Sequence, residues 1–147
     1  MRSGTRRKPC SVSWNPPDRH AKLERNAFRK FAMQELSPYS LEHAVVSQDI
    51  VIVQFYAAWC TVCESFGPVF ESAASQHPDI FFARIDADRE KDLAVEFEIK
   101  AVPTLIVFRE KIMVFKEAGA PPPPILEDVI RQARTLDMDG VRRDLGI

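Results

Sequence analysis

A nearly unbroken run of β-branched and aromatic residues, from Ile50 to Tyr56, most restricts how this chain can fold. Strands of this kind are buried on both faces and occur in sheets that helices cover on two sides. Shortly after the run, Cys60 begins a pattern in which apolar residues recur at helical spacing as far as Gln76. The sequence therefore predicts a buried strand that leads into a helix, with Cys60 and Cys63 at the junction.

The rest of the domain alternates between short apolar runs and segments with helical spacing. This alternation indicates strand–helix–strand units with parallel strands. The last two runs are separated by a polar turn of three residues, 109–111, which indicates an antiparallel pair. We therefore predict an α/β fold with a mixed central sheet and helices on both faces. The predicted helices cover residues 38–47, 60–76, 89–97 and 125–135, and the predicted strands cover residues 50–56, 80–86, 104–108 and 112–115.

Charge divides the chain into unequal parts. Residues 1–32 contain nine basic and two acidic residues, a net charge of +7, whereas residues 33–147 carry a net charge of -8. We predict a disordered basic extension over 1–32, a single domain over 33–136 and a polar tail over 137–147. Three alternatives stay open for the extension: translation that begins at Met33, an organelle transit peptide, or contact with nucleic acid or another acidic partner. We favour the disordered extension and expect no nucleic-acid partner.

Two further segments and one missing feature complete the organisation. Apolar positions between Leu23 and Met33 indicate a short helix, and the four prolines of residues 121–124 indicate a rigid extended connector. No apolar run approaches the roughly 18 residues of a membrane-spanning helix. The N-terminus also lacks the apolar stretch of a secretory signal. We therefore expect a soluble, cytoplasmic protein that does not bind a membrane.

The chain has three cysteines, too few for a disulfide-stabilised secreted domain. Cys60 and Cys63 form a C-x-x-C pair, whereas Cys10 lies alone in the basic segment. Such a pair indicates either redox chemistry or half of a zinc site, and a zinc site needs about four ligands. The remaining His and Cys residues are scattered along the sequence. We therefore favour redox chemistry with no metal and no cofactor.

The position of the pair suits thiol–disulfide exchange. Cys60 is predicted at a helix N-terminus, where unsatisfied N–H groups and the helix dipole favour the thiolate, which is the reactive form. Cys63 follows one helical turn later on nearly the same face. Its sulfur can reach Cys60 and resolve a mixed disulfide.

Several motifs at matching spacing resemble the thioredoxin family over roughly residues 36–136. The motifs are Phe55-Tyr56-Ala57-Ala58-Trp59-Cys60-Thr61-Val62-Cys63, Pro68, Val102-Pro103-Thr104 and Gly119-Ala120. The resemblance implies a thioredoxin-like fold with a cis peptide bond between Val102 and Pro103. It also implies that Cys60 is the attacking nucleophile and Cys63 the resolving thiol. The implied substrate-binding residues are Trp59, Val102, Pro103, Thr104 and Gly119.

Four positions depart from the pattern of this family. Thr61 and Val62 replace the usual Gly-Pro, and the amide that Val62 regains would stabilise the thiolate and make the pair more oxidising. Gln54 replaces a buried Asp thought to help the second thiol lose its proton, and an amide cannot act as a base. Glu64 replaces a basic residue and would disfavour the thiolate if it faced the sulfurs, although a solvated helix face is favoured.

We predict a protein-disulfide reductase that acts through a mixed disulfide, with implied roles in electron transport and redox homeostasis. Its expected partners are protein disulfides and an electron donor, either a thioredoxin-reductase-like flavoprotein or glutathione. We expect a monomer. Two alternatives stay open: a binding or chaperone-like module with little redox turnover, and a more oxidising isomerase or oxidase.

Overall fold

The computed structural model describes residues 34–147, and these form a five-stranded sheet between two layers of helices. The predicted helix between Leu23 and Met33 and the basic extension lie outside the described residues. The strands are β1 (Gln34–Glu35), β2 (Ile50–Tyr56), β3 (Phe81–Asp86), β4 (Thr104–Arg109) and β5 (Ile112–Ala118). The helices are α1 (Pro38–Ser47), α2 (Thr61–Gln76), α3 (Lys91–Glu96), α4 (Pro123–Thr135) and α5 (Met138–Leu145).

The sheet has the order β1-β3-β2-β4-β5, and it confirms the predicted mixed topology. Strand β3 pairs in parallel with β1 and β2, whereas β4 is antiparallel to both β2 and β5. Strand β2 lies at the centre and is buried along nearly its whole length, as its apolar composition predicts. It therefore carries the chain through the core to the start of α2.

Each face of the sheet forms a separate hydrophobic core. On one face, Ile52 and Leu105 pack with Phe66 and Phe70 of α2 and with Leu126 of α4. The other face packs against α1 and α3, and its buried residues include Val51, Val53, Phe55, Ile85, Leu93, Ile106 and Phe108. Because side chains alternate along each strand, neighbouring residues of β2 serve different cores. This arrangement fixes the orientation of α2, the helix that begins at the cysteine pair.

The turn between β4 and β5 is shorter than the sequence predicts. Arg109 pairs with Ile112, so only Glu110 and Lys111 form the loop, with φ angles of 51° and 72°. A two-residue hairpin of this twist requires positive φ at both positions, which Asn and Gly usually supply. The charged residues Glu110 and Lys111 are not typical of such a turn, which explains why the sequence predicts a loop of three residues instead of two.

Two C-terminal features also differ from expectation. Helix α4 begins at Pro123, so the last two prolines belong to the helix rather than to an extended connector. Proline suits a first helical turn because its φ is already helical and its missing N–H is not needed there. Residues 138–145 of the predicted polar tail form α5, with Met138 buried at 5% exposure. None of the helices in residues 34–147 has the length and hydropathy needed to cross a membrane.

Candidate functional site

The two cysteines lie where β2 ends and α2 begins. Cys60 is the N-cap of α2, and its Sγ accepts a hydrogen bond from the backbone N–H of Cys63 at 3.1 Å. The amide of Cys60 donates to the carbonyl of Ala57, which closes the turn between strand and helix. The sulfur of Cys60 therefore takes the place of the side-chain oxygen that usually caps a helix, and the helix dipole acts directly on it.

A loop from the start of β4 covers the sulfur of Cys60. The peptide bond between Val102 and Pro103 is cis, as the family resemblance implies. The Sγ of Cys60 donates to the carbonyl oxygen of Val102 at 3.7 Å, and the amide of Gly119 donates to the carbonyl of Pro103 at 2.7 Å. Thr104 is buried, and its hydroxyl donates to the carbonyl of Ala101 at 2.6 Å. Of the predicted substrate-binding residues, those on this loop therefore lie beside Cys60, and Gly119, just after β5, binds the loop.

The surface around the pair is apolar and accessible, although both cysteines are largely buried. Trp59 is 68% exposed and Val62 is 52% exposed, whereas Cys60 and Cys63 are each 6% exposed. The indole N–H of Trp59 donates to the carboxylate of Asp88 at 2.8 Å. Sequence analysis did not identify Asp88, because the two residues are 29 positions apart and no motif connects them.

The remaining tuning positions divide into buried and exposed residues. Gln54 is 2% exposed in the middle of β2, where its neighbours across the sheet are Arg84 and Leu105. Thr61 and Glu64 lie on the exposed side of the first turn of α2. The hydrogen bond to Cys60 comes from the Cys63 amide, one residue beyond the Val62 amide that sequence analysis singled out.

A charged cluster borders the cysteine pair on the side of β1 and β3. Tyr56, the last residue of β2, packs against the cluster formed by Ala57, Cys60 and Cys63. Its hydroxyl donates to Glu35 at 2.7 Å, and the guanidinium of Arg84 lies 3.8 Å from the centre of its ring. Sequence analysis did not identify this cluster.

An apolar cleft of about 270 Å³ lies between the end of β5 and the start of α4. Gly119, whose amide binds the Pro103 carbonyl, forms one end of this cleft. Its apolar walls include Leu105, Phe115 and Ile125. Within residues 34–147, no three His, Cys, Asp or Glu side chains lie close enough together to hold a metal ion. The arrangement is thus a thiol pair beside exposed apolar side chains, with an apolar cleft that reaches Gly119.

Comparison with known proteins agrees with this geometry. The thioredoxin family model matches residues 32–132. A Streptomyces coelicolor protein assigned as a thioredoxin is 43% identical over 109 residues, which cover 74% of this chain and 81% of that protein. Thioredoxin-1 of Saccharomyces cerevisiae is 34% identical over 63% of this chain and 89% of its own length. A solved thioredoxin variant from Halobacterium salinarum superposes with a TM-score of 0.66 and 31% identity, over 71% of this chain and 91% of that one. This chain therefore belongs to the thioredoxin family and is a thiol–disulfide oxidoreductase that reduces protein disulfides.

Proposed function

We propose that Cys60 attacks one sulfur of a substrate disulfide and that Cys63 completes the exchange. The Cys60 thiolate forms a mixed disulfide, and the first substrate sulfur leaves as a thiolate that takes up a proton. Cys63, after losing its proton, attacks the Cys60 sulfur and releases the second substrate thiol. The substrate gains two electrons and two protons, and this chain is left with a Cys60–Cys63 disulfide.

The hydrogen bond between the Cys63 amide and the Cys60 sulfur carries this proposal. A backbone donor at 3.1 Å favours a negative charge on Cys60, and it is present only because Cys60 caps α2. Cys63, which supplies this amide, lies one helical turn after Cys60, so its sulfur is within reach of a mixed disulfide on Cys60. Cys60 is therefore assigned as the nucleophile, since the helix terminus acts on its sulfur first.

We propose that substrates bind as extended segments across Trp59, the Val102–Thr104 loop and Gly119. Backbone groups of this loop would pair with the substrate in the manner of an added strand. Asp88 holds the indole of Trp59 in place, so the ring offers a fixed apolar surface. The cleft beside Gly119 would accommodate an apolar side chain that flanks the reactive disulfide.

The buried Gln54 affects the second half of the reaction in this proposal. An amide cannot accept the proton that Cys63 loses, so the proton passes to water or to another group and the resolving step is slowed. We further propose that the protein works in the cytoplasm as a monomer. A flavin-dependent reductase or glutathione would then reduce the Cys60–Cys63 disulfide again.

The experiment is reduction of insulin by dithiothreitol in the presence of the full chain. Cys60→Ser and the double variant Cys60→Ser/Cys63→Ser are expected to lose catalysis, because no other thiol occupies the helix terminus. The matched control is Cys10→Ser, which removes the third thiol of the chain and should keep full activity. Catalysis that persists in the double variant, or disappears in the control, would refute the assignment.

A further inference from the structure

We propose that Glu35, Tyr56 and Arg84 tune the reactivity of the cysteine pair. The positive charge of Arg84 favours the Cys60 thiolate, and the negative charge of ionised Glu35 cancels this effect. This inference rests on the proposed function, because it assigns positioning residues to the same site. It concerns side chains that the exchange reaction itself does not use. The three belong to three neighbouring strands, β1, β2 and β3.

Tyr56 connects this charged cluster to the cysteines. Tyr56 packs against the small buried cluster that Ala57, Cys60 and Cys63 form. Its ring lies under the Arg84 guanidinium, whose central carbon is 3.8 Å from the ring centre. Half-buried Tyr56 therefore lies between a fixed cation and the small cluster that contains the reactive pair, where charges are screened less than in open water.

Glu35 closes the cluster on its outer side. One carboxylate oxygen accepts the Tyr56 hydroxyl at 2.7 Å, and the other lies 3.4 Å from Nε of Arg84. Parallel pairing of β1 with β3 produces this contact, because it sets Glu35 directly beside Arg84. The ion pair and the hydrogen bond together hold the tyrosine ring against the cysteines.

Within this cluster Glu35 is the group that changes charge. Burial together with the Glu35 hydrogen bond raises the pKa of Tyr56, so the Tyr56 hydroxyl stays neutral. Burial also raises the pKa of Glu35, and the negative charge of Asp86 acts in the same direction. The Tyr56 hydroxyl and the charges of Arg84 and Arg89 oppose that increase. From α2, Glu64 is the acidic side chain nearest the helix start.

The consequence is a charge that varies with pH beside the sulfurs. With Glu35 protonated, the positive charge of Arg84 is uncompensated and favours the Cys60 thiolate. With Glu35 ionised, the pair is neutral as a whole and this support is lost. Removing the Glu35 charge should therefore make Cys60 reactive at lower pH, and removing the Arg84 charge should have the opposite effect.

The test is the rate of Cys60 alkylation by iodoacetamide from pH 4 to 9, followed by peptide mass spectrometry on the full chain. Glu35→Gln should move the midpoint of the rate profile down by about half a pH unit, roughly a threefold faster reaction near pH 6. Arg84→Met should move it up by a similar amount. Tyr56→Phe keeps the ring but loses the hydroxyl bond to Glu35, and should give a smaller shift than either.

The matched control is Asp79→Asn, which breaks an ion pair with Arg134 at the other end of α2 and should leave the profile unchanged. Circular dichroism verifies that each variant is folded. The inference is overturned if folded Glu35→Gln and Arg84→Met keep the wild-type midpoint, or if both shift it in one direction. Failure of the proposed function would look different, since it requires insulin reduction to survive the loss of Cys60.

Discussion

The Cys60 sulfur at one end of the sheet and the charged side chains at the opposite end are held by different kinds of contact. At the end that carries the cysteines, the Cys60 sulfur forms hydrogen bonds with backbone groups of Cys63 and Val102. At the opposite end, charged side chains form a network in which Arg134 binds Asp79 and His77, and His77 binds Glu127. Backbone contacts survive most substitutions, whereas a side-chain network depends on each member.

This difference separates activity from stability. A thiol whose reactivity depends on a helix terminus and a loop carbonyl can be replaced without unfolding the chain, because the capping turn remains. The opposite end contains charges that join α4 to the segment before β3 and the β4–β5 hairpin to the segment before β2, whereas the cysteines follow the other end of β2. Substitutions at the two ends should therefore affect different measurements.

The largest expected effect is on turnover, from Cys63→Ser. The mixed disulfide on Cys60 should form but not be resolved by the protein itself, so insulin reduction in the dithiothreitol assay should fall at least about a hundredfold. When the pre-reduced variant is incubated with insulin without dithiothreitol, a covalent complex should accumulate. The melting temperature should change little, because serine can keep the turn intact. Non-reducing gel electrophoresis detects the complex, and addition of dithiothreitol should release it. Rapid turnover without a trapped complex would show that Cys63 is not the resolving thiol.

The next largest effect concerns stability at the opposite end, from Arg109→Met. The guanidinium of Arg109 donates to the carbonyl of Ala133 at 2.6 Å and lies 3.4 Å from Glu110 and 3.6 Å from Asp49. Its loss leaves carbonyls at the end of α4 without a charged donor and should lower the free energy of unfolding by about 1–3 kcal/mol. Urea denaturation measures this change.

The control for this variant is Arg131→Met, which removes an exposed arginine that pairs with Asp128 on the same helix. Exposed pairs of this kind contribute about 0.5 kcal/mol or less. Insulin reduction should be unchanged in both variants. If Arg109→Met instead slowed exchange while keeping its stability, the separation of the two ends would be wrong.

The third prediction returns to the cysteine end, where Val62→Pro removes one of the amides at the start of α2. Proline is accepted in a first helical turn, so the helix should persist. With one fewer N–H dipole near Cys60, the thiolate loses support, and the reduction potential should become more negative by about 20 mV. Equilibration with defined glutathione ratios measures the potential. Thr61→Ala, which keeps its amide, is the control, and an unchanged potential in Val62→Pro would contradict the argument.

Local patterns were sufficient to predict most of the fold and the cysteine pair. The apolar run of β2 and the helical spacing after Cys60 are readable over short stretches, whereas the cis bond between Val102 and Pro103 was implied by the family resemblance, and each is confirmed in the structure. A helix terminus at Cys60 needs no information about distant residues. The fold and the reactive centre were therefore accessible from the sequence.

Contacts that depend on strand register were not accessible. Glu35 meets Tyr56 across 21 positions and Trp59 meets Asp88 across 29, and both contacts require knowing which strands are neighbours. Helix α5 was missed for a different reason. It has eight residues, and although Met138, Val141 and Leu145 recur at helical spacing, the charged residues between them and the short length make the segment resemble a polar tail.

The smallest expected effect is the contribution of Asp79 to acid stability. Hydrogen bonds from Arg134, at 2.5 and 3.0 Å, lower the pKa of Asp79 to about 2. In the unfolded chain the carboxyl takes up its proton at higher pH, so this interaction stabilises the fold fully above about pH 4 and is lost as pH falls towards 2. Asp79→Asn should therefore lower the urea midpoint of unfolding at pH 7 but not at pH 2. The decrease at pH 7 should be small, because the Asp79 side chain is exposed and solvent screens its interaction with Arg134.

Asp128→Asn serves as a control, being an acidic residue on the exposed side of α4. A destabilisation by Asp79→Asn that was equal at both pH values would mean that hydrogen bonding without charge accounts for the contact, and that the opposite end depends less on ionisation than its geometry indicates.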